Sequence, residues 1–208
     1  MGSHIGKVLL LVVITTFSSF ATDASDGPDA VVERFQDRLL AVMKAAKQSS
    51  VQTRYDALRP AVQDAFHLPV MIRIAMGAHW DKADDAQREA LADAFQRMNI
   101  ATLASLITGY GNETFERLGQ TPGPQNTRLV NTQLVSPDGS KIRLAYVARQ
   151  FGADWKLVDV IVDNGISELS VRRSEYQRAL SSGGVDGLIA VLNAKASTLL
   201  MPTAKPGS

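Results

Sequence analysis

The stretch Arg128–Asp163, RLVNTQLVSPDGSKIRLAYVARQFGADWKLVDVIVD, decides how the rest of the chain is read. Three strand-like runs, 128–136, 142–150 and 155–163, are separated by two short links. In Ser136-Pro137-Asp138-Gly139-Ser140 the proline presets one turn dihedral and the glycine accepts a positive one, so this link is a hairpin turn. Phe151-Gly152-Ala153-Asp154 is a second tight turn. Strands joined this closely run antiparallel, and Thr114–Gly119 adds a fourth before them. Ile142, Leu144, Tyr146 and Ala148 make one face apolar, opposite the mixed set Arg143, Ala145, Val147 and Arg149. Such a sheet is covered by helices on one side.

Those helices lie on both sides of the strands in sequence. Pro28 to about Lys47 carries Val31, Val32, Phe35, Leu39, Val42, Met43 and Ala46 at helical spacing. Val51 to Phe66 is a second helix, with Pro60 as a kink or division. Leu68 to Gly77 is short and apolar, with Gly77 as its terminator. Asp84 or Asp85 opens a long helix to about Gly109, whose second half, Ile100 to Ile107, is apolar almost all round. Such a segment must be covered on several sides, by core or by ligand. After Gly165, helices are expected at about Ile166–Leu180 and Val185–Lys195, split by Ser181-Ser182-Gly183-Gly184. The fold class is α+β: helices on one face of a curved, mainly antiparallel sheet of about four strands, enclosing an apolar cavity.

Composition narrows the function. The 208 residues carry 22 Lys+Arg against 21 Asp+Glu and no cysteine. Nucleic-acid binding needs a concentrated basic surface, which a balanced chain does not supply. Disulfides, thiolate metal sites and cysteine nucleophiles are excluded.

The N-terminus reads as a secretory signal. Lys7 precedes the apolar run Val8–Ile14, and Ser19-Phe20-Ala21 is a small-residue exit. The run is shorter than the ~20 residues that a membrane span needs. Cleavage is expected after Ala21, or alternatively after Ala24; a buried N-terminal helix and an uncleaved anchor are the competing readings. Three segments follow: a signal peptide over 1–21, one domain over 22–198 and a flexible tail over 199–208. A periplasmic location follows for a Gram-negative source.

Catalytic constellations are missing from the pattern. His67 and His79 stand twelve residues apart, without metal-ligand spacing. Gly165-Ile166-Ser167-Glu168-Leu169 has only the first half of a nucleophile elbow. Asp159 and Asp163 would lie about 13 Å apart on one strand, too far for a carboxylate dyad. Gly183-Gly184-Val185-Asp186-Gly187 lacks the Lys-Ser/Thr of a phosphate loop. Glu168 precedes Arg172 by four residues, so Arg172, Arg173 and Arg178 read as a solvated, self-paired face rather than a site for an anionic head group. No enzyme, metal or cofactor is expected. The surplus instead is apolar: 68–76, 100–107, Trp80, Tyr110, Phe115 and the strand face can enclose a ligand cavity.

The residues also carry a resemblance. Met71-Ile72-Arg73-Ile74-Ala75-Met76-Gly77-Ala78-His79-Trp80 leads into Ala86-Gln87-Arg88 and Phe95. Tyr110-Gly111-Asn112-Glu113-Thr114-Phe115, Trp155–Val160, Gly165-Ile166-Ser167, Arg172-Arg173-Ser174-Glu175-Tyr176 and Gly184-Val185-Asp186-Gly187-Leu188 follow in order. This order resembles the MlaC or toluene-tolerance family of periplasmic lipid carriers, over nearly the whole mature chain. The wording around Ile166–Leu169 and Arg172–Ser174 is similar to its hopanoid-associated branch, HpnM. The resemblance implies helices closing over a twisted sheet with lipid tails between them. It also implies a hopanoid or phospholipid cargo, shuttling between inner and outer membrane, and membrane-anchored transporter components as partners; the carrier is expected to be a monomer. It supplies no catalytic residues. Lipid contacts, inferred from pattern, are Met71, Ile74, Leu103, Leu106, Tyr110, Phe115, Leu144 and Tyr146. The competing reading is a periplasmic adaptor subunit of a membrane transport complex, its apolar residues forming only core.

Overall fold

The computed structural model describes residues 27–163 and 165–201. The signal segment lies outside them. The central element is a five-stranded antiparallel meander in the order β1-β2-β3-β4-β5. Its strands are β1 Thr114–Pro122, β2 Arg128–Val135, β3 Lys141–Phe151, β4 Asp154–Val162 and β5 Ile166–Ser167. The register places Val130, Tyr146 and Val160 in one cross-strand row and Thr132, Leu144 and Val162 in the next. These rows form the face that the helices cover. The expectation of about four strands misses β5, which pairs Ile161 with Ser167 and Val162 with Ile166. Two residues are too few to show a period, so Ile166 read as the start of a helix.

Five helices cover the inner face: α1 Pro28–Ala45, α2 Val51–Ala65, α3 Leu68–Met76, α4 Asp85–Leu106 and α5 Glu168–Leu200. Helix α1 buries Val31, Val32, Phe35 and Val42, and Asp29 pairs with Arg117 of β1 at 2.8 Å. Pro60 neither breaks α2 nor divides it; the helix runs through with the proline on its exposed side. The α2–α3 junction is pinned to β4: the His67 amide donates to the Leu157 carbonyl at 2.9 Å. His67 also caps α3, its Nδ1 accepting from the Val70 amide at 3.3 Å, and its ring lies 4.3 Å from that of Phe151. This histidine is a structural joint.

Asp84 opens α4 with a reciprocal capping box, Asp84 Oδ1 accepting from the Gln87 amide at 2.8 Å and Gln87 Oε1 from the Asp84 amide at 3.2 Å. The helix stops at Leu106 rather than near Gly109, because Ile107 is already extended (φ −81°, ψ 99°). Helix α4 packs along α5, with Phe95 and Tyr176 edge to face at 6.4 Å. The expected break near residues 181–184 narrows to Gly184 alone (φ 61°, ψ −155°). Leu199 and Leu200, assigned to the tail from the sequence, belong to α5 and pack against the core, because their apolar surface finds partners there. Residues 202–208 lie outside the described part. Among the described residues, no helix is long and apolar enough to cross a membrane.

Candidate functional site: an apolar cavity between helices and sheet

A cavity of about 330 Å³ opens between the helices and the sheet. Phe35 and Leu39 of α1 form one wall, with Val62 and Phe66 beside them. Leu68 and Met71 enter from α3, Leu103 and Leu106 from α4, and Leu144, Tyr146 and Val160 from the sheet. The deep end is aromatic: the Phe35 ring stands edge-on to Phe66 at 5.0 Å and to Tyr146 at 6.2 Å.

Two devices keep this interior uncharged. Gln36 donates to Thr132 Oγ1 at 3.0 Å and to the Tyr146 hydroxyl at 3.4 Å, so a buried amide and phenol satisfy each other. Burial pushes the Tyr146 pKa up to about 12, with the Gln36 hydrogen bond pulling weakly the other way. The phenol is therefore neutral at any ordinary pH.

Polar groups gather along one edge, at Asn99, Thr102, Glu168 and Arg172. Asn99 Nδ2 donates to the Phe95 carbonyl at 2.7 Å and Thr102 Oγ1 to that of Met98 at 2.9 Å. Arg172 is the one cation in the lining. Its guanidinium lies 3.8 Å from Glu168 and 2.9 Å from Glu175. The ion pair with Glu168 is the one expected from the spacing, but the side chain is only 15% exposed. The reading of Arg172 as a solvated residue is thereby corrected: α5 turns it toward the cavity, whereas Arg173 and Arg178 are exposed. Arg172 Nε and the Tyr176 hydroxyl are both buried without a partner among the described residues. Burial also raises the Tyr176 pKa.

Of the eight residues singled out from pattern, Met71, Leu103, Leu106, Leu144 and Tyr146 meet at this cavity. Ile74 does not; the inward stripe of α3 runs through Leu68, Met71, Ile72 and Ala75, and Ile74 lines a separate cavity behind it. Tyr110 follows α4 in a loop, with the Lys44 ammonium 5.4 Å from its ring centre. Phe115 sits on the edge strand β1 opposite Leu134, away from the cavity. Phe35, Leu39, Val62, Phe66, Leu68 and Val160 were not singled out. Phe35 and Leu39 showed as an inward stripe, but periodicity marks the side of a helix that is buried, not whether that side meets atoms or space.

The other weighed residues have structural roles. Ser167 Oγ donates to Asp159 Oδ2 and accepts from the Ser170 amide at 3.0 Å, capping α5. Asp159 Oδ1 accepts from the amides of Val160 and Leu169, fastening the start of α5 to β4. Asp163 Oδ1 accepts from the Arg143 amide at 2.9 Å. Among the described residues, no group of three or more acidic or histidine side chains is placed to hold a metal.

This architecture is shared with a solved structure. The phospholipid-binding protein from Ralstonia solanacearum, in complex with a phospholipid, superposes with a TM-score of 0.72 at 21% identity. The match covers 83% of this chain and 98% of that one. A sequence profile described as MlaC protein matches residues 33–194, from the first turns of α1 almost to the end of α5. Since the match spans all five strands and the helices that close over them, this chain belongs to the MlaC family.

Proposed function

We propose that this protein is an exported lipid carrier of the periplasm, which takes a membrane lipid into the cavity between helices and sheet and shuttles it between inner and outer membrane. The observation that carries this reading is a lining in which eleven of fifteen side chains are apolar or aromatic and the single cation is ion-paired. Burying a methylene is worth about 0.8 kcal/mol, but a bilayer provides the same benefit. A carrier therefore needs an interior about as apolar as the membrane, with only modest head-group contacts, and this lining meets that demand. At about 30 Å³ per water-sized group, 330 Å³ accommodates on the order of eleven methylenes. The cavity in this state fits part of a lipid, and a full cargo requires its walls to separate.

A phospholipid is favoured by the ligand of the Ralstonia solanacearum protein; a hopanoid is favoured by the similarity of the Ile166–Leu169 and Arg172–Ser174 segments to the HpnM branch. The partners are membrane-anchored transporter components, and the carrier acts as a monomer without cofactor or catalysis. Organic extraction and mass spectrometry of the mature protein, purified from its own source, test the reading. Stoichiometric phospholipid or hopanoid is expected. Protein that is consistently empty and cannot take up lipid from vesicles overturns it and leaves the adaptor reading. The intact mass also distinguishes cleavage after Ala21 from cleavage after Ala24.

A further inference from the structure

Behind α3 lies a second cavity of about 620 Å³. Helix α3 is the wall between the two: Leu68 and Met71 line the first cavity, and Val70, Arg73 and Ile74 line the second. The two cavities have different chemistry. Ile74, Trp80 and Phe151 form apolar walls in the second, and Arg73 and Arg149 stand among them. Arg173 reaches the same rim, its guanidinium 3.2 Å from the point where a Cβ on Gly77 would stand. All three arginines are exposed, and none makes an ion pair among the described residues. Asp81 is the one carboxylate in the lining. The Arg149 guanidinium lies 5.4 Å from the centre of the Phe151 ring, one face of which it covers.

The rim is also conformationally unusual. Gln125 lines the cavity with φ 53°, and Asn126 follows with φ 60°, two successive non-glycine residues in the left-handed region. Closure of this loop, with the Gly123 amide donating to the Thr127 carbonyl at 2.9 Å, holds them there. Backbone held in sparsely populated regions clusters at ligand clamps.

We propose that this second cavity docks an acidic segment of a partner protein, with carboxylates on Arg73, Arg149 and Arg173 and an apolar side chain against Ile74, Trp80 and Phe151. Guanidinium groups match carboxylates in planar, paired hydrogen bonds, and tryptophan and arginine are enriched among residues that dominate protein interfaces. The apolar wall excludes free phosphate as the natural occupant, because phosphate has nothing to place there. The inference stands independently of the lipid reading.

Titration of the isotope-labelled mature chain tests it, read at the Trp80 indole and Gly77 amide resonances. The probes are a capped hexapeptide alternating glutamate and phenylalanine, its glutamine counterpart, inorganic phosphate and phosphatidylglycerol vesicles. The glutamate peptide is expected to shift both resonances saturably, at least tenfold more tightly than the glutamine peptide. Arg73→Glu with Arg149→Glu should weaken it at least tenfold, while lipid content and melting temperature stay unchanged. If the double variant is unstable, Arg73→Gln and Arg149→Gln singly should each weaken binding threefold or more. Equal binding of the glutamine peptide, the absence of saturable shifts, or a stronger response to phosphate or vesicles than to the peptide overturns the proposal.

Discussion

Tyr146 and Leu106 line the same cavity and respond to substitution in opposite ways. Leu106 is 72% exposed at the cavity edge, so Leu106→Glu should leave thermal stability within about 0.5 kcal/mol. A charge across an apolar entrance should nevertheless lower uptake of a fluorescent lipid at least tenfold. Tyr146 is only 3% exposed and hydrogen-bonded to Gln36, so a charged residue there unfolds the protein, and Tyr146→Phe is the informative change. Folded, Tyr146 keeps its proton to about pH 12, against an ordinary 10. Its contribution to stability is therefore complete below pH 10 and is lost as pH rises toward 12, by about 1.4 kcal/mol per pH unit. The unfolding free energy, read by denaturant titrations at several pH values over this range, should fall more steeply with pH for the wild type than for Tyr146→Phe. Tyr176, shifted in the same direction, is common to both proteins and drops out of the difference.

Arg54 was not marked by any pattern. It is 8% exposed, its Nε donates to the Ala104 carbonyl at 2.9 Å and its Nη1 to that of Ala46 at 3.3 Å. One guanidinium thus satisfies chain ends that α1 and α4 leave open. Arg54→Met should destabilise by about 1–3 kcal/mol in urea unfolding, because the Ala104 carbonyl stays buried without its donor, whereas that of Ala46 keeps the Ser49 amide and hydroxyl. In the sequence Arg54 stands among exposed helix residues such as Gln52 and Asp56 and looks like them. Its partners Ser49, Ala46 and Ala104 lie 5, 8 and 50 positions away, and a bond from side chain to backbone carbonyl leaves no mark in the pattern of residue types.

At the level of elements, turn chemistry made the meander readable. Pro137, Asp138 and Gly139 act through local dihedrals and hydrogen bonds, the Ser140 amide donating to Asp138 Oδ1 at 2.9 Å. Helix α5 was readable in outline, since four small residues mark its break, but the break itself resides in Gly184. Gly183 is helical with open space where a Cβ would stand, whereas Gly184 has φ 61°. Gly183→Ala should therefore stabilise by up to about 1 kcal/mol and Gly184→Ala destabilise by about 1–2 kcal/mol, as read by thermal melts. The reverse order would mean that the break in α5 is not at Gly184.

For the whole molecule, occupancy and stability are linked. A ligand that binds only the folded chain adds about 2.7 kcal/mol at a hundredfold excess over its Kd. Protein stripped of lipid should melt at a lower temperature than loaded protein, and the difference should vanish in a Leu106→Glu variant that cannot load. Alternation of period two, helical spacing and turn residues were enough to define an antiparallel meander beneath helices, because each acts between near neighbours. They also marked the apolar residues, five of which meet at the cavity. Whether such residues meet each other or surround a space depends on how α1, α3, α4 and the sheet are offset, and core and cavity use the same side chains. The inward turn of Arg172, the displacement of Ile74 to the far side of α3 and the convergence of three arginines near Gly77 have the same origin. They follow from contacts between residues distant in the chain, which tertiary packing creates and no local pattern encodes.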